Sequence, residues 1–157
     1  MTETAATETV TVQASFTIKR RFAAKPERVF QAFADPATKA RWFHGPLSWQ
    51  ETERRQDFRV GGIEFLSGGP PGKPAHSFNC LYQNIVPNRR LIYSYDMKMG
   101  DTPISVSLAI IELVPDGNGT VLTITEHGAF LDGFDAVENR EQGTRALLEQ
   151  MAEVVEA

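Results

Sequence analysis

The chain has a single cysteine, Cys80, among its 157 residues, so no intrachain disulfide can form. Phe78 and Leu81-Tyr82 beside it read as strand, and Cys80 is expected to be a small buried residue. No apolar run approaches the ~18 residues that a membrane-crossing helix needs, so no membrane span is expected. No basic cluster precedes an apolar run near the start, which gives no sign of a secretory signal and makes the cytoplasm the default location. Positive charge is not concentrated either. Lys plus Arg is 16 against 20 for Asp plus Glu, for a net charge of -4. The longest basic runs, Lys19-Arg20-Arg21 and Arg54-Arg55, read as solvated strand edges, so no nucleic-acid partner is expected.

Several catalytic patterns are missing as well. No Gly-x-Ser-x-Gly elbow occurs. The glycine-rich stretch 68–74 is broken by prolines and lacks the Lys-Ser/Thr of a phosphate loop. The three histidines, His44, His76 and His127, share no metal-ligand spacing and have no cysteine cluster beside them. No metal and no cofactor are therefore expected. His76 and His127 fall on expected strands, where the sequence allows them to meet across a sheet.

What is present suits one domain with a sizeable core. Hydrophobic residues make up 41% and charged residues 23% of the chain, ordinary values for a globular protein. The expected division is a flexible tail over 1–13, rich in Thr, Glu and Ala, followed by a single domain over 14–157. From Ser15, Phe16, Ile18 and Phe22 alternate with polar residues as a half-buried strand. Pro26 opens a helix bearing Val29, Phe30 and Phe33 on one stripe. Asp35-Pro36 stops it and starts a second short helix that runs into Trp42-Phe43-His44-Gly45-Pro46.

Six strands are expected next, over 49–59, 62–67, 76–86, 90–98, 104–114 and 120–128. They are joined at Gly61-Gly62, by a mobile Gly/Pro loop over 68–74, and by turns at Pro87-Asn88 and 115–119. The last element is a helix over about 136–155, with Asp135 and Glu138 as a capping box. Val137, Arg140, Thr144, Leu147, Leu148, Met151, Val154 and Val155 share one stripe. Gly143 is out of place there; it signals either close approach of a ligand or backbone, or an exposed site free to drift.

The expected fold class is α+β: a helix-grip fold, with a seven-stranded curved antiparallel sheet, two short helices and a long C-terminal helix. That order resembles START-like, birch-pollen-allergen-like (SRPBCC) proteins. Local motifs resemble the branch of activators of heat-shock-protein-90 ATPase, the AHSA1-like family. They are Arg20-Arg21-Phe22-Ala23-Ala24-Lys25-Pro26-Glu27-Arg28-Val29-Phe30-Gln31-Ala32-Phe33, Asp35-Pro36 followed by Arg41-Trp42-Phe43-His44-Gly45-Pro46, Asp57-Phe58-Arg59-Val60-Gly61-Gly62, Ile85-Val86-Pro87-Asn88-Arg89-Arg90-Leu91 and Gly119-Thr120-Val121-Leu122-Thr123. They run in family order from about residue 15 to 155. The family often carries Gly-Trp in its final helix, where this chain has Gly143-Thr144, so a tryptophan that would project toward the sheet is replaced by a small residue.

The resemblance implies a hydrophobic or amphipathic ligand held between sheet and final helix, in a stress-response setting. The candidate lining is Trp49, Phe65, Phe78, Tyr93, Tyr95, Met97, Phe130, Thr144, Leu148 and Met151, with Phe134 beside them. Tyr93 and Tyr95 would offer polar handles in an apolar wall. No catalytic residue is assigned. The alternatives are a polyketide cyclase or aromatase-like enzyme using His76, Tyr95 or His127, and a chaperone-interacting module with an exposed apolar patch around Trp42-Phe43. The chain leaves no room for the separate N-terminal domain of the eukaryotic co-chaperones, which counts against a chaperone partner. A homodimer is left open. Arg59 is expected to pair with Asp57 or a nearby carboxylate and fix a strand corner, the alternative being an arginine that faces the cavity mouth.

Overall fold

The structure is a computed structural model that describes residues 9–157. The chain runs β1 (Thr11–Phe22), α1 (Pro26–Ala34), α2 (Pro36–Ala40), β2 (Gln50–Gln56), β3 (Ile63–Gly69), β4 (His76–Val86), β5 (Arg90–Met99), β6 (Thr102–Asp116), β7 (Gly119–Leu131) and α3 (Val137–Val155). Among the described residues the strands form one antiparallel sheet, in the order β1-β7-β6-β5-β4-β3-β2. Every neighbour except β1–β7 is a sequential hairpin or meander pair. β1 instead pairs with the last strand, which puts β1 and β2 at opposite edges, so the segment with α1 and α2 carries the chain from one edge of the sheet to the other. No helix among the described residues is long and apolar enough to cross a membrane.

Alternation explains the sheet's two faces. Phe16, Ile18 and Phe22 of β1, Leu91 of β5, Ile111 and Leu113 of β6, and Leu122 and Ile124 of β7 are buried in one core. Val29, Phe30 and Phe33 of α1 and Met151, Val154 and Val155 of α3 complete it. Polar ties fix the last turns of α3 to the start of the domain. Arg28 donates to the Val154 carbonyl at 2.9 Å, the Ala23 amide donates to Glu156 at 2.7 Å, and Arg20 pairs with Glu149 at 2.8 Å. The first half of α3 buries only Thr144.

Several sequence expectations need correction. The first strand starts at Thr11, because Thr11–Ala14 pair with Gly128–Leu131; of the expected tail, residues 1–8 lie outside the described residues. Gly68 and Gly69 belong to β3 rather than to a loop. They pair with Glu51 and Gln50, and a Cβ on Gly68 would lie 2.9 Å from the Gln50 carbonyl oxygen, so glycine is what lets the strands meet. Asp35 caps α2 as expected, accepting from the Thr38 amide at 3.1 Å. Asp135 does not cap α3. The cap position is Ala136, and the Asp135 carboxylate instead accepts from Arg140 at 2.8 Å. At the β2–β3 corner, Arg59 and Asp57 pair at 2.8 Å on the surface. A Cβ on Gly62 would fall 2.0 Å from the Asp57 carbonyl oxygen.

Candidate functional site

The first half of α3 stands away from the sheet and leaves a recess of about 640 Å³ beneath it. Phe78 of β4, Tyr93, Tyr95 and Met97 of β5, Ile111 of β6, and Leu122 and Ile124 of β7 give the sheet wall. Thr144, Leu147 and Leu148 give the helix wall, and Phe43, Trp49 and Leu66 close the side toward β2. At the rim Leu47 is 93% exposed. Gly143 lies there too, and a Cβ on it would meet nothing within 4 Å. That rules out close approach of neighbouring backbone as its reason; the position is exposed and borders the recess.

Of the residues expected to line such a space, Trp49, Phe78, Tyr93, Tyr95, Met97, Thr144 and Leu148 do border the recess. Three others do not. Phe65 alternates out of phase with the inward Glu64 and Leu66, and its ring lies 5.2 Å from the Arg55 guanidinium. Phe130 is buried, 5.3 Å from the Arg140 guanidinium, and does not reach the space. Met151 is fully buried where α3 comes down onto the core. Phe134 lies half exposed in the turn before α3.

His76 stacks on Trp49, with ring centres 4.8 Å apart, while His127 is exposed on the outer face of β7. Two strands, β5 and β6, separate them, so the expected encounter does not occur. Of the apolar patch expected around Trp42-Phe43, the tryptophan is withdrawn into the core and Phe43 is partly buried. Trp42 is 3% exposed and donates its indole N–H to the Ala32 carbonyl at 2.8 Å. Among the described residues no cluster of His, Cys, Asp and Glu could hold a metal ion.

The Tyr95 hydroxyl, expected as a polar handle, belongs to a larger cluster whose other members, Glu126, Arg140, Ser105 and Ser107, are not among the expected site residues. Glu126 follows Leu122 and Ile124 in the inward series of β7 and is 5% exposed. The Tyr95 hydroxyl donates to its Oε1 at 2.5 Å. Arg140, from the first turn of α3, donates through Nη1 to the Tyr95 hydroxyl at 2.9 Å, and through Nη2 to Ser105 at 2.7 Å and Asp135 at 2.8 Å. Ser105 and Ser107 sit at inward positions of β6 where an apolar residue would be usual, and both face the guanidinium. Burial raises the Glu126 carboxyl above the ordinary glutamate value, while the Tyr95 hydrogen bond and the charge of Arg140 pull it down. Burial and the charge of Glu126 push the Tyr95 hydroxyl up.

The sequence carried a signal for this cluster. Leu122, Ile124 and Glu126 share one strand face, and Arg140 shares the helix stripe with Thr144 and Leu148. A charge within an apolar series is the mark of a buried polar site.

A curved sheet holding one long helix over an apolar recess with a buried polar cluster defines a helix-grip protein of the SRPBCC type. The family model described as activator of Hsp90 ATPase homolog 1-like protein matches residues 23–156. The chain belongs to that family. It is similar to a crystal structure of a Rhizobium loti protein, at 44% identity over 92% of this chain and 98% of that one, with a TM-score of 0.85. A Rhizobium leguminosarum protein is 35% identical over 96% and 99% of the two chains, with a TM-score of 0.90. An AHSA1-like protein from Aeromonas hydrophila, 21% identical over 91% and 92% at a TM-score of 0.68, shares the fold. A comparison with curated proteins finds no match.

Proposed function

We propose that the protein binds a small amphipathic molecule in the recess between the sheet and α3, in a cytoplasmic setting. One observation carries this reading: a space of about 640 Å³ whose walls are mostly aromatic and aliphatic while a few buried polar groups converge on it. Small-molecule sites are commonly roughly 300–1,000 Å³ and combine apolar walls with a few placed polar groups. Thr144 supports it by keeping the helix wall low.

The test is native mass spectrometry of protein purified from its own host, followed by thermal denaturation with the molecule it retains or with an aromatic probe. A ligand at 100 times its Kd adds about 2.7 kcal/mol of stability. For a chain of this length that raises the melting temperature by roughly 5–11 °C. A protein that carries nothing and is not stabilised by any apolar aromatic probe refutes the reading.

The Tyr95–Glu126 pair favours a second reading, in which a bound polyketide-like substrate exchanges a proton with Glu126. A buried carboxyl with a raised pKa suits general acid–base work. Turnover of such a substrate that survives Glu126→Gln would remove it.

A further inference from the structure

We infer that the molecule bound in the recess carries a hydrogen-bond-donating head, a hydroxyl or an amine, that docks on Oε2 of Glu126. This rests on the small-molecule reading above and adds which end of the ligand goes where.

Glu126 has one oxygen committed and one free. Oε1 accepts from Tyr95. Among the described residues no group donates to Oε2, and no buried polar side-chain atom lacks a partner. Oε2 therefore opens onto the recess that Glu126 lines. A carboxylate oxygen in an apolar hollow is an acceptor that only a ligand or water can satisfy, and leaving it unmet costs free energy.

The charges around the recess point the same way. Lys39 is paired with Glu64 at 2.5 Å, Glu51 with Arg54 at 2.7 Å, and Arg140 with Asp135 at 2.8 Å. Among the described residues, Glu126 has no cation within ion-pair distance, and its contact with Arg140 runs through the Tyr95 hydroxyl. Arg140 looks like an anion site by residue type, but its geometry is wrong for one. Both terminal nitrogens are already spent on Tyr95, Ser105, Ser107 and Asp135. An anionic head would meet a neutralised arginine and an unneutralised glutamate. A donor head would meet a free acceptor, with the rings of Phe78, Tyr93 and Tyr95 on the same wall, faces that also suit an ammonium group.

The experiment is calorimetric titration of the full chain with four probes on one ring skeleton: methylnaphthalene, naphthylmethanol, naphthylmethylamine and naphthoate. A hydrogen bond to a charged acceptor makes the alcohol, the amine or both at least about tenfold tighter than the hydrocarbon, with naphthoate the weakest. In Glu126→Gln the amide keeps an oxygen for Tyr95 and turns its NH2 toward the ligand, so the donor probes lose their advantage and naphthoate gains. The melting temperature and circular dichroism of Glu126→Gln, measured beside the titrations, separate loss of the acceptor from loss of the fold. Equal affinities for the four probes, or naphthoate the tightest, overturn the inference while leaving the recess a binding site. No binding by any probe, the hydrocarbon included, removes the binding reading itself and this inference with it. The wild-type ranking decides the matter even where a variant fails to fold.

Discussion

Lys39 and Glu64 form a buried ion pair whose removal gives the sharpest stability test. Nζ and Oε1 are 2.5 Å apart, and both side chains are 4% exposed. Tyr82 donates to the same carboxylate oxygen, and Gln56 donates to the Tyr82 hydroxyl at 2.9 Å. The ammonium also lies 4.5 Å from the centre of the Phe43 ring. Such a pair adds little over an apolar replacement, because two desolvation costs offset the attraction. Removing one partner is different, since a charge is then stranded in a site built for two. Lys39→Met should cost about 3–5 kcal/mol. At 2–4 °C per kcal/mol for a chain of this size, the melting temperature should fall by roughly 6–20 °C. Lys39→Met/Glu64→Gln leaves no buried charge, keeps an acceptor for Tyr82, and should recover more than half of the loss. Urea denaturation followed by tryptophan fluorescence reads this directly, because buried Trp42 packs edge-on against Phe33 at 5.2 Å. The reasoning is wrong if Lys39→Met costs less than about 1 kcal/mol, or if the double variant is no more stable than the single one.

Three further outcomes are expected. Thr144→Trp puts an indole into the recess, so it should weaken an aromatic probe at least tenfold with little loss of melting temperature; unchanged affinity would place binding elsewhere. Glu126 should give a pH signature, because burial raises its carboxyl above the ordinary glutamate value, so the folded chain gives up this proton at higher pH than the unfolded one. Stability from this group is full below about pH 4.3, the unfolded value, and is lost as pH rises through the raised folded value. Glu126→Gln does not titrate, so urea denaturation between about pH 4 and 7 should show the variant gaining on the wild type as pH rises; a gap moving the other way contradicts the assignment. The Cys80 thiol is pushed up to about 12 by burial, so a disulfide-exchange reagent should label it only after unfolding; fast labelling of the native protein would show that its strand opens.

Element order was legible in the sequence because it depends on local signals. Pro26 and Asp35-Pro36 bracket α1 whatever lies around them, since proline fixes its own φ and restricts its predecessor. Alternation at Phe16, Ile18 and Phe22 marks an inward face at any strand position. The β3 end was misread because Gly68-Gly69 carries a loop signal locally. Only the pairing of these residues with Gln50 and Glu51, where a Cβ would collide with backbone, makes them strand. Asp135 looked like a cap for the same reason. The guanidinium that claims it comes from Arg140 within the helix and is held by serines on β6.

What the sequence determined by itself was the order of the elements, the family and most of the apolar wall, because periodicity and short motifs are properties of neighbouring residues. The tertiary structure decided which side chains meet. It separated His76 from His127 by two strands, turned Phe65 outward and buried Trp42. It also joined Arg140, Tyr95 and Glu126, which lie up to 45 residues apart along the chain, into one polar cluster beneath α3. Strand register and the descent of α3 onto the core set those distances, and both depend on the whole sheet closing through β1 against β7.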